Sequence, residues 1–266
     1  MKKYIPIFII IFLMFVIAAL FLPMLLTAQE FPAIGYGATA IFHFNEGSGS
    51  TTTDSQNGLV GTLLGGMDST GWVTGKYGTA LQFDGINDTV STPVSSNFKP
   101  STSFSVACWV YINNAVPSDF YAFLVSGGTN GVFWFGYGEG NPPHIYTNLN
   151  GISGGTEIKC CYSSLQIHTW YHVAYTYSSA TSTRVVYLNG VSSTTVTSGN
   201  GTPQDSSQGN YIGSYYGGMY WMNGIIDDFA FSNTTVWSPT DIAALYADQA
   251  ADHGIMLPPR RILRGQ

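Results

Sequence analysis

The sequence predicts an all-β chain: a two-sheet antiparallel sandwich of the jelly-roll kind, preceded by one amino-terminal transmembrane or signal helix and followed by a short carboxyl-terminal helix. Three observations predict it. Beyond the first 28 residues, nearly every periodic segment alternates apolar and polar residues in twos, the repeat of a half-buried strand. The breaks between segments are Gly, Asn, Asp, Ser and Pro, the residues of tight turns. Of 266 residues, 45% are hydrophobic and 9% charged, enough for a substantial core under a surface made polar by hydroxyls and amides.

The amino-terminal element comes first. Ile5 to Leu26 is a charge-free run after Lys2 and Lys3; as a helix rising about 1.5 Å per residue it would reach roughly 33 Å, enough to cross a bilayer. A cleaved secretory signal is the rival, with Leu26-Thr27-Ala28 a poor cleavage site because Leu stands where a small residue is preferred. Either way the remainder is exported, and the basic residues ahead of the span predict a cytoplasmic amino terminus. The domains expected are residues 1–28 as anchor or signal, 29–251 as the sandwich with a helix near 239–248, and 252–266 as an extended tail. The product is a membrane-anchored protein with an extracellular domain, or a secreted one if the leader is cleaved.

Strands are expected over 38–44, 80–83, 104–112, 121–125, 132–136, 144–148, 170–177, 184–188, 211–213 and 225–231. The clearest hairpin is at Asn189-Gly190 after Val185-Val186-Tyr187-Leu188, since both turn residues readily take positive φ. Asp84-Gly85-Ile86-Asn87-Asp88 reads as a turn, with a metal loop as the alternative. The helix follows the last strand, with Ser238 as cap, Pro239 in the first turn and Ile242, Leu245 and Tyr246 as its apolar stripe. The tail Leu257-Pro258-Pro259-Arg260-Arg261 cannot continue a helix through two prolines.

The closing strand holds the most informative feature. In Gly224-Ile225-Ile226-Asp227-Asp228-Phe229-Ala230-Phe231, residues two apart share a face, so Asp227 is expected beside Ile225, Phe229 and Phe231. A carboxylate there needs a partner. Lys76, Lys99, Lys159 and Arg184 are the basic residues between Glu30 and Asp252, so a hard cation is a candidate, and backbone amides or hydroxyls are the alternative. The same scarcity of basic residues, with a net charge of -6, argues against nucleic acid as a partner.

Cys108, Cys160 and Cys161 make an odd count, so at least one thiol is free or bonded to another chain. Cys160 and Cys161 can pair with each other only in a strained ring, and a bridge from Cys108 to one of them is open. His172 reads as a structural histidine within a strand, while His43, His144, His168 and His253 show no spacing that proposes a site.

Several motifs in order resemble the laminin-G-like, concanavalin-A-like jelly-roll domains. They are Phe44-Asn45-Glu46-Gly47-Ser48-Gly49 with Asp54, Asn57 and Gly58; Ala80-Leu81-Gln82-Phe83-Asp84-Gly85; Phe104 to Val110; Trp170-Tyr171-His172-Val173-Ala174 with the Asn189-Gly190 hairpin; and Tyr211-Ile212-Gly213-Ser214 with the closing strand. The resemblance covers about Ala38 to Asp248. It implies two antiparallel sheets, often a structural calcium ion, and recognition of glycans or proteins through loops and the concave sheet. Asp227 matches a position that binds calcium in related jelly rolls; the expected calcium set is Asp227 with Asp54 and Asn57 of the first loop.

The expected function is a non-catalytic cell-surface or extracellular module, an adhesion or carbohydrate-binding domain that recognises a glycan or a protein partner. The paired carboxylates of a glycosidase are missing from the sequence pattern, so the chain is not expected to be an enzyme. Tyr215 and Tyr216, in an aromatic glycine-rich loop, and Tyr137, before another, are the expected ligand-binding residues, since exposed rings stack on sugar faces or anchor protein contacts. The alternative is a structural surface protein of an envelope, appendage or virion that self-associates through its sandwich. Asn87-Asp88-Thr89, Asn200-Gly201-Thr202 and Asn233-Thr234-Thr235 are glycosylation acceptor patterns, consistent with export.

Overall fold

The computed structural model describes residues 36–251 except 115, 127–132, 141, 151, 153–156, 162–164, 198–202, 204–208 and 216–217. The expected anchor and the basic tail lie outside the described residues. No helix among those described is long and apolar enough to cross a membrane.

In chain order the strands are β1 (Ala40–Phe42), β2 (Thr51–Thr53), β3 (Val60–Leu64), β4 (Trp72–Thr74), β5 (Thr79–Asp84), β6 (Thr89–Thr92), β7 (Ser103–Ile112) and β8 (Val116–Ser126). They continue with β9 (Phe133–Gly140), β10 (His144–Leu149), β11 (Ile158–Cys160), β12 (Trp170–Ser178), β13 (Thr183–Leu188), β14 (Val191–Thr197), β15 (Asn210–Ile212) and β16 (Asn223–Ser232). A single helical turn, α1 (Met67–Thr70), follows β3, and α2 (Pro239–Ala251) follows β16. Every strand expected from the sequence is present, and the short strands β2, β3, β4, β6, β11 and β14 are additional.

Two eight-stranded antiparallel sheets form the sandwich. The first runs β14-β13-β12-β7-β16-β5-β4, with β1 also paired to β16; the second runs β11-β10-β9-β8-β15-β6-β3-β2. Alternation sends Val106, Cys108 and Val110 of the first sheet and Phe133, Phe135 and Tyr137 of the second into one shared core. Aromatic rings fill much of it, as where Phe104 meets Phe133 edge-on at 4.8 Å between centroids.

Asn189 and Gly190 both have positive φ, 48° and 80°, and make the tight turn between β13 and β14. The 84–88 segment is a turn: Asp84 Oδ1 accepts the Ile86 and Asn87 amides at 2.8 and 3.2 Å. At the start of α2, Ser238 Oγ accepts the Asp241 amide, the cap its sequence predicts, and Asp241 Oδ2 accepts the Ser238 amide in return. Tyr246 of α2 packs over Trp109 and His172 on the outer face of the first sheet.

One departure from regular alternation decides where Asp227 points. Asp227 pairs with Trp109 and Ala230 with Ala107, three steps on β16 against two on β7, so a bulge lies between them. Asp228 supplies the turn of the bulge, with φ 44°. Asp227 therefore shares the outer face with Trp109, whereas Phe229 and Phe231 beyond the bulge enter the core. The single-face reading of Ile225, Asp227, Phe229 and Phe231 is corrected accordingly.

Candidate functional site

Asp227 is fully buried although it faces outward, because the turn from β4 to β5 folds over it. Its Oδ2 accepts the Tyr77 amide at 2.9 Å and its Oδ1 accepts the Asp228 amide at 2.8 Å. The approach is so close that a Cβ on Gly75 would lie 2.5 Å from Oδ2, so glycine is required there. Burial, and then the charge of Asp228, push the Asp227 carboxyl up to about 8, against the opposing pull of these amide hydrogen bonds.

Asp54 belongs to a separate hydrogen-bond set. It accepts the Ile41 and Gln56 amides on Oδ1 at 2.6 and 3.0 Å and the Asn57 amide on Oδ2 at 2.9 Å, while Asn57 Nδ2 donates to the Thr39 carbonyl at 2.8 Å. The first loop is thus fastened to β1, which pairs with β16. These residues do not fit a calcium shell. Calcium needs six to eight oxygens free to face it, whereas these carboxylates face N–H donors. Among the described residues no group of three or more His, Cys, Asp or Glu is arranged to hold a metal.

The structure joins their neighbours instead. His43 Nδ1 lies 3.2 Å from Asp228 Oδ1 and His43 Nε2 lies 3.2 Å from Ser55 Oγ. The order Ser-His-Asp has the connectivity of a nucleophile, base and orienting acid. The surrounding loop has no matching oxyanion donors, because the amides of Ser55, Gln56, Asn57 and Gly58 already bond to Ile41 O, to the Asp54 carboxylate and to Asp54 O. The chain His43-Asp228 thus ties the first loop to the bulge. Sequence spacing could not reveal it, since the two residues are brought together by strand pairing.

A second candidate lies on the outer face of the second sheet. Register places Phe120, Gly138 and His144 side by side, then Ala122, Gly136 and Tyr146, then Val125, Trp134 and Asn148. Glycine in two rows leaves space above β9 that side chains fill from both sides: a Cβ on Gly136 would lie 2.8 Å from the Phe120 ring and one on Gly138 2.9 Å from His144 Nε2. The Phe120 and Tyr146 rings meet there at 4.6 Å. The segment before β16 folds onto this face, with the Tyr220 carbonyl accepting the Ala122 amide at 3.1 Å. Tyr215 packs edge-on against Trp134 at 4.8 Å and against Tyr220 at 5.6 Å.

The rim of this face is polar. Tyr146 donates to Glu157 Oε1 at 2.5 Å, and Lys159 lies 3.8 Å from Glu157 Oε2. Trp134, Tyr220 and Trp221 are half-buried, and Met219 is exposed. Beneath the rim, the buried indole N–H groups of Trp134 and Trp221 and the buried Asn148 Oδ1 find no hydrogen-bond partner among the described residues.

Two of the expected ligand-binding tyrosines are placed differently from expectation. Tyr137 is inside the sandwich, stacked on Phe123 and Tyr121, with its hydroxyl on the Asn223 carbonyl; it lies on β9, where alternation turns it inward. Tyr215 belongs to the aromatic face but is mostly covered by Trp134 and Tyr220. Tyr216 lies outside the described residues. Trp134 and Tyr220, aromatic neighbours of the expected tyrosines in the sequence, stand on this face with Tyr146, which the sequence alone does not single out; the signal is Phe133-Trp134-Phe135, which puts aromatics on both faces of one strand, followed by alternating glycines.

The fold is shared with several solved structures. Domain 4 of AbnA, a GH43 extracellular arabinanase from Geobacillus stearothermophilus, in complex with arabinotriose, aligns with a TM-score of 0.57 at 19% identity over 79% of this chain and 98% of that one. The botulinum neurotoxin serotype G binding domain aligns with a TM-score of 0.61 at 15% identity over 81% and 52%. Trypanosoma rangeli sialidase aligns with 0.58 at 15% over 79% and 32%, so this chain spans about a third of that enzyme. No curated protein sequence matches. The model of the concanavalin A-like lectin/glucanases superfamily matches residues 84–243, more than half of the chain. With that match covering the strands from the Asp84 turn to α2, the chain belongs to the concanavalin A-like lectin/glucanases superfamily.

Proposed function

We propose that the chain is an extracellular binding module that holds a carbohydrate against the outer face of its second sheet, around Trp134, Tyr146 and Tyr220. The carrying observation is the aromatic surface over Gly136 and Gly138, where the half-buried rings of Trp134 and Tyr220 stand beside the polar rim of Tyr146, Glu157 and Lys159. Sugar rings present apolar faces to aromatic side chains and hydroxyls to neighbouring donors and acceptors, and Glu157 and Lys159 at the rim offer one of each. Domain 4 of the arabinanase, which is seen with arabinotriose, lends support by its shared fold.

Binding without hydrolysis is the reading we favour. A glycosidase flanks the bond with two carboxyl groups about 5 to 9.5 Å apart. At this face Glu157 is engaged with Tyr146 and Lys159, which suits holding a ring in place. Export is supported by the charge-poor composition. The test is a glycan array followed by calorimetric titration of the full-length chain and of Trp134→Ala, with circular dichroism to check folding. Binding by the parent and at least tenfold weaker binding by the folded variant is expected. A parent that binds no glycan but self-associates would overturn the proposal and favour a structural surface role.

A further inference from the structure

The adjacent cysteines at the end of β11 are used by none of the chemistry above. In a regular strand, neighbouring side chains point to opposite faces, which would hold two adjacent thiols apart. Cys160 keeps the strand geometry and pairs with Ile145. Cys161 does not: its φ of 69° is left-handed, an uncommon state for a residue with a Cβ. The reversal brings the two sulfurs to 2.7 Å. Even non-bonded carbon atoms, which are smaller, pack only to about 3.5–4.0 Å, whereas a disulfide measures about 2.05 Å.

The surroundings favour reaction within the pair. Cys160 is buried in the sandwich core, and Cys161 is half-buried against it. Hydroxyls from β14 reach both, Thr194 to Cys160 and Ser193 to Cys161, so the thiols sit where the edges of the two sheets meet. Cys161 is the less buried of the two, so a reagent reaches its sulfur first, and hydrogen bonding from Cys160 holds its thiol below the usual range. Cys108 is fully buried on the inner face of β7, with its thiol pushed far up by burial.

We propose that Cys160 and Cys161 form a reversible redox-modification site, a dithiol that closes to a vicinal disulfide by exchange with a low-molecular-weight disulfide such as oxidised glutathione. The Cys161 thiolate attacks one sulfur of the reagent, forming a mixed disulfide and expelling one glutathione thiolate. The Cys160 thiol then loses its proton and attacks the Cys161 sulfur, breaking the mixed disulfide and expelling the second glutathione thiolate. Two electrons pass from the protein dithiol to the reagent, and the two protons end on the two glutathione molecules. A disulfide closed in so small a ring is strained, and strained disulfides are the readily reduced, labile ones. The pair is therefore a switchable modification rather than a brace.

The test exposes the full-length chain to oxidised glutathione, removes the reagent, unfolds the protein, alkylates it and maps the modified cysteines by mass. The expected product is two hydrogens lighter, carries no glutathione, and is alkylated at Cys108 alone. Phenylarsine oxide, which bridges neighbouring thiols, should bind the reduced chain and not the oxidised one. Cys161→Ser should stop at a glutathione adduct on Cys160 or not react. A parent chain that keeps three alkylatable cysteines, retains glutathione on either residue, or links Cys108 to one of the pair overturns the proposal.

Discussion

Asp227 stands opposite Trp109 in the pairing of β16 with β7, and His172 stands opposite Trp109 on the other side, in the pairing of β7 with β12. Three neighbouring strands thus present an acid, an indole and an imidazole in one row, roofed by Tyr77 and by Tyr246 of α2. Lys76 lies over the Trp109 ring at 4.8 Å. Burial acts on the acid and the base in opposite directions, and the pH dependence of stability records both.

Burial first, and the Asp228 charge second, raise Asp227 from 3.8 to about 8. The folded chain therefore keeps a proton that the unfolded chain releases, and the stability this confers is complete below about pH 4 and lost as pH rises through 8. The slope is at most about 1.4 kcal/mol per pH unit for one proton. Asp227→Asn, which stays neutral, should flatten that decline, while lowering stability at pH 5 because its Nδ2 cannot accept one of the two backbone amides. Urea denaturation at pH 5, 7 and 9 measures it, and parallel profiles would count against the assignment. At pH 7 added calcium or chelator should leave the parent's melting midpoint unchanged, since a ligand selective for the folded state would raise it.

His172 works in the opposite sense. It is fully buried, neither ring nitrogen has a partner among the described residues, and burial lowers it to about 3. Below about pH 6.5 the unfolded chain takes up a proton that the folded chain refuses until about pH 3, so stability falls as pH drops through that window. Between about pH 4 and 6.5 the Asp227 and His172 slopes oppose each other. His172→Phe should fit between Trp109 and Tyr246, remove two unpartnered polar atoms, and raise stability at pH 5 by about 1–3 kcal/mol. The same variant should uncover a decline with rising pH that the parent masks.

Gly213 follows β15 with φ 85°, and a Cβ there would lie 2.1 Å from the Phe83 ring. Its amide donates to Phe123 O and its carbonyl accepts from Met222, so the backbone cannot move aside without losing both bonds. Gly213→Ala should cost more than about 2 kcal/mol in chemical denaturation, because left-handed strain and overpacking act together. A loss under 0.5 kcal/mol, taking about 0.5 as the usual surface-site range, would show that Phe83 yields easily.

The long central strands were legible because both their faces are apolar or alternate cleanly: β7, β12 and β16 bury almost every residue. The short outer strands were not. Thr51–Thr53 and Val191–Thr197 are rich in Thr and Ser, and β14 leaves no residue fully buried, so backbone pairing rather than side-chain pattern defines them. The bulge at Asp227 was hidden for a different reason. Its left-handed position is held by Asp228, not by glycine, and without that break simple alternation carries Asp227 to the wrong face. The aromatic loop was visible as composition, but which rings remain uncovered depends on how Tyr215 and Tyr220 fold back onto β9.

That folding back gives Tyr215 a supporting part in the proposed binding face. Its ring meets Trp134 edge-on, with 82° between the planes, and is itself mostly covered, so it orients the indole rather than touching a ligand. Edge-to-face pairs contribute about 0.5–1.5 kcal/mol beyond buried area. Tyr215→Ala should therefore weaken carbohydrate binding several-fold by freeing Trp134, and add little once Trp134 is already Ala. A double-mutant cycle read by calorimetry should return a coupling of about 1 kcal/mol. Tyr137→Phe, in the core behind the same strand, should leave binding unchanged while losing the bond to Asn223. Additive effects of Tyr215 and Trp134 would instead mean that Tyr215 meets the ligand on its own.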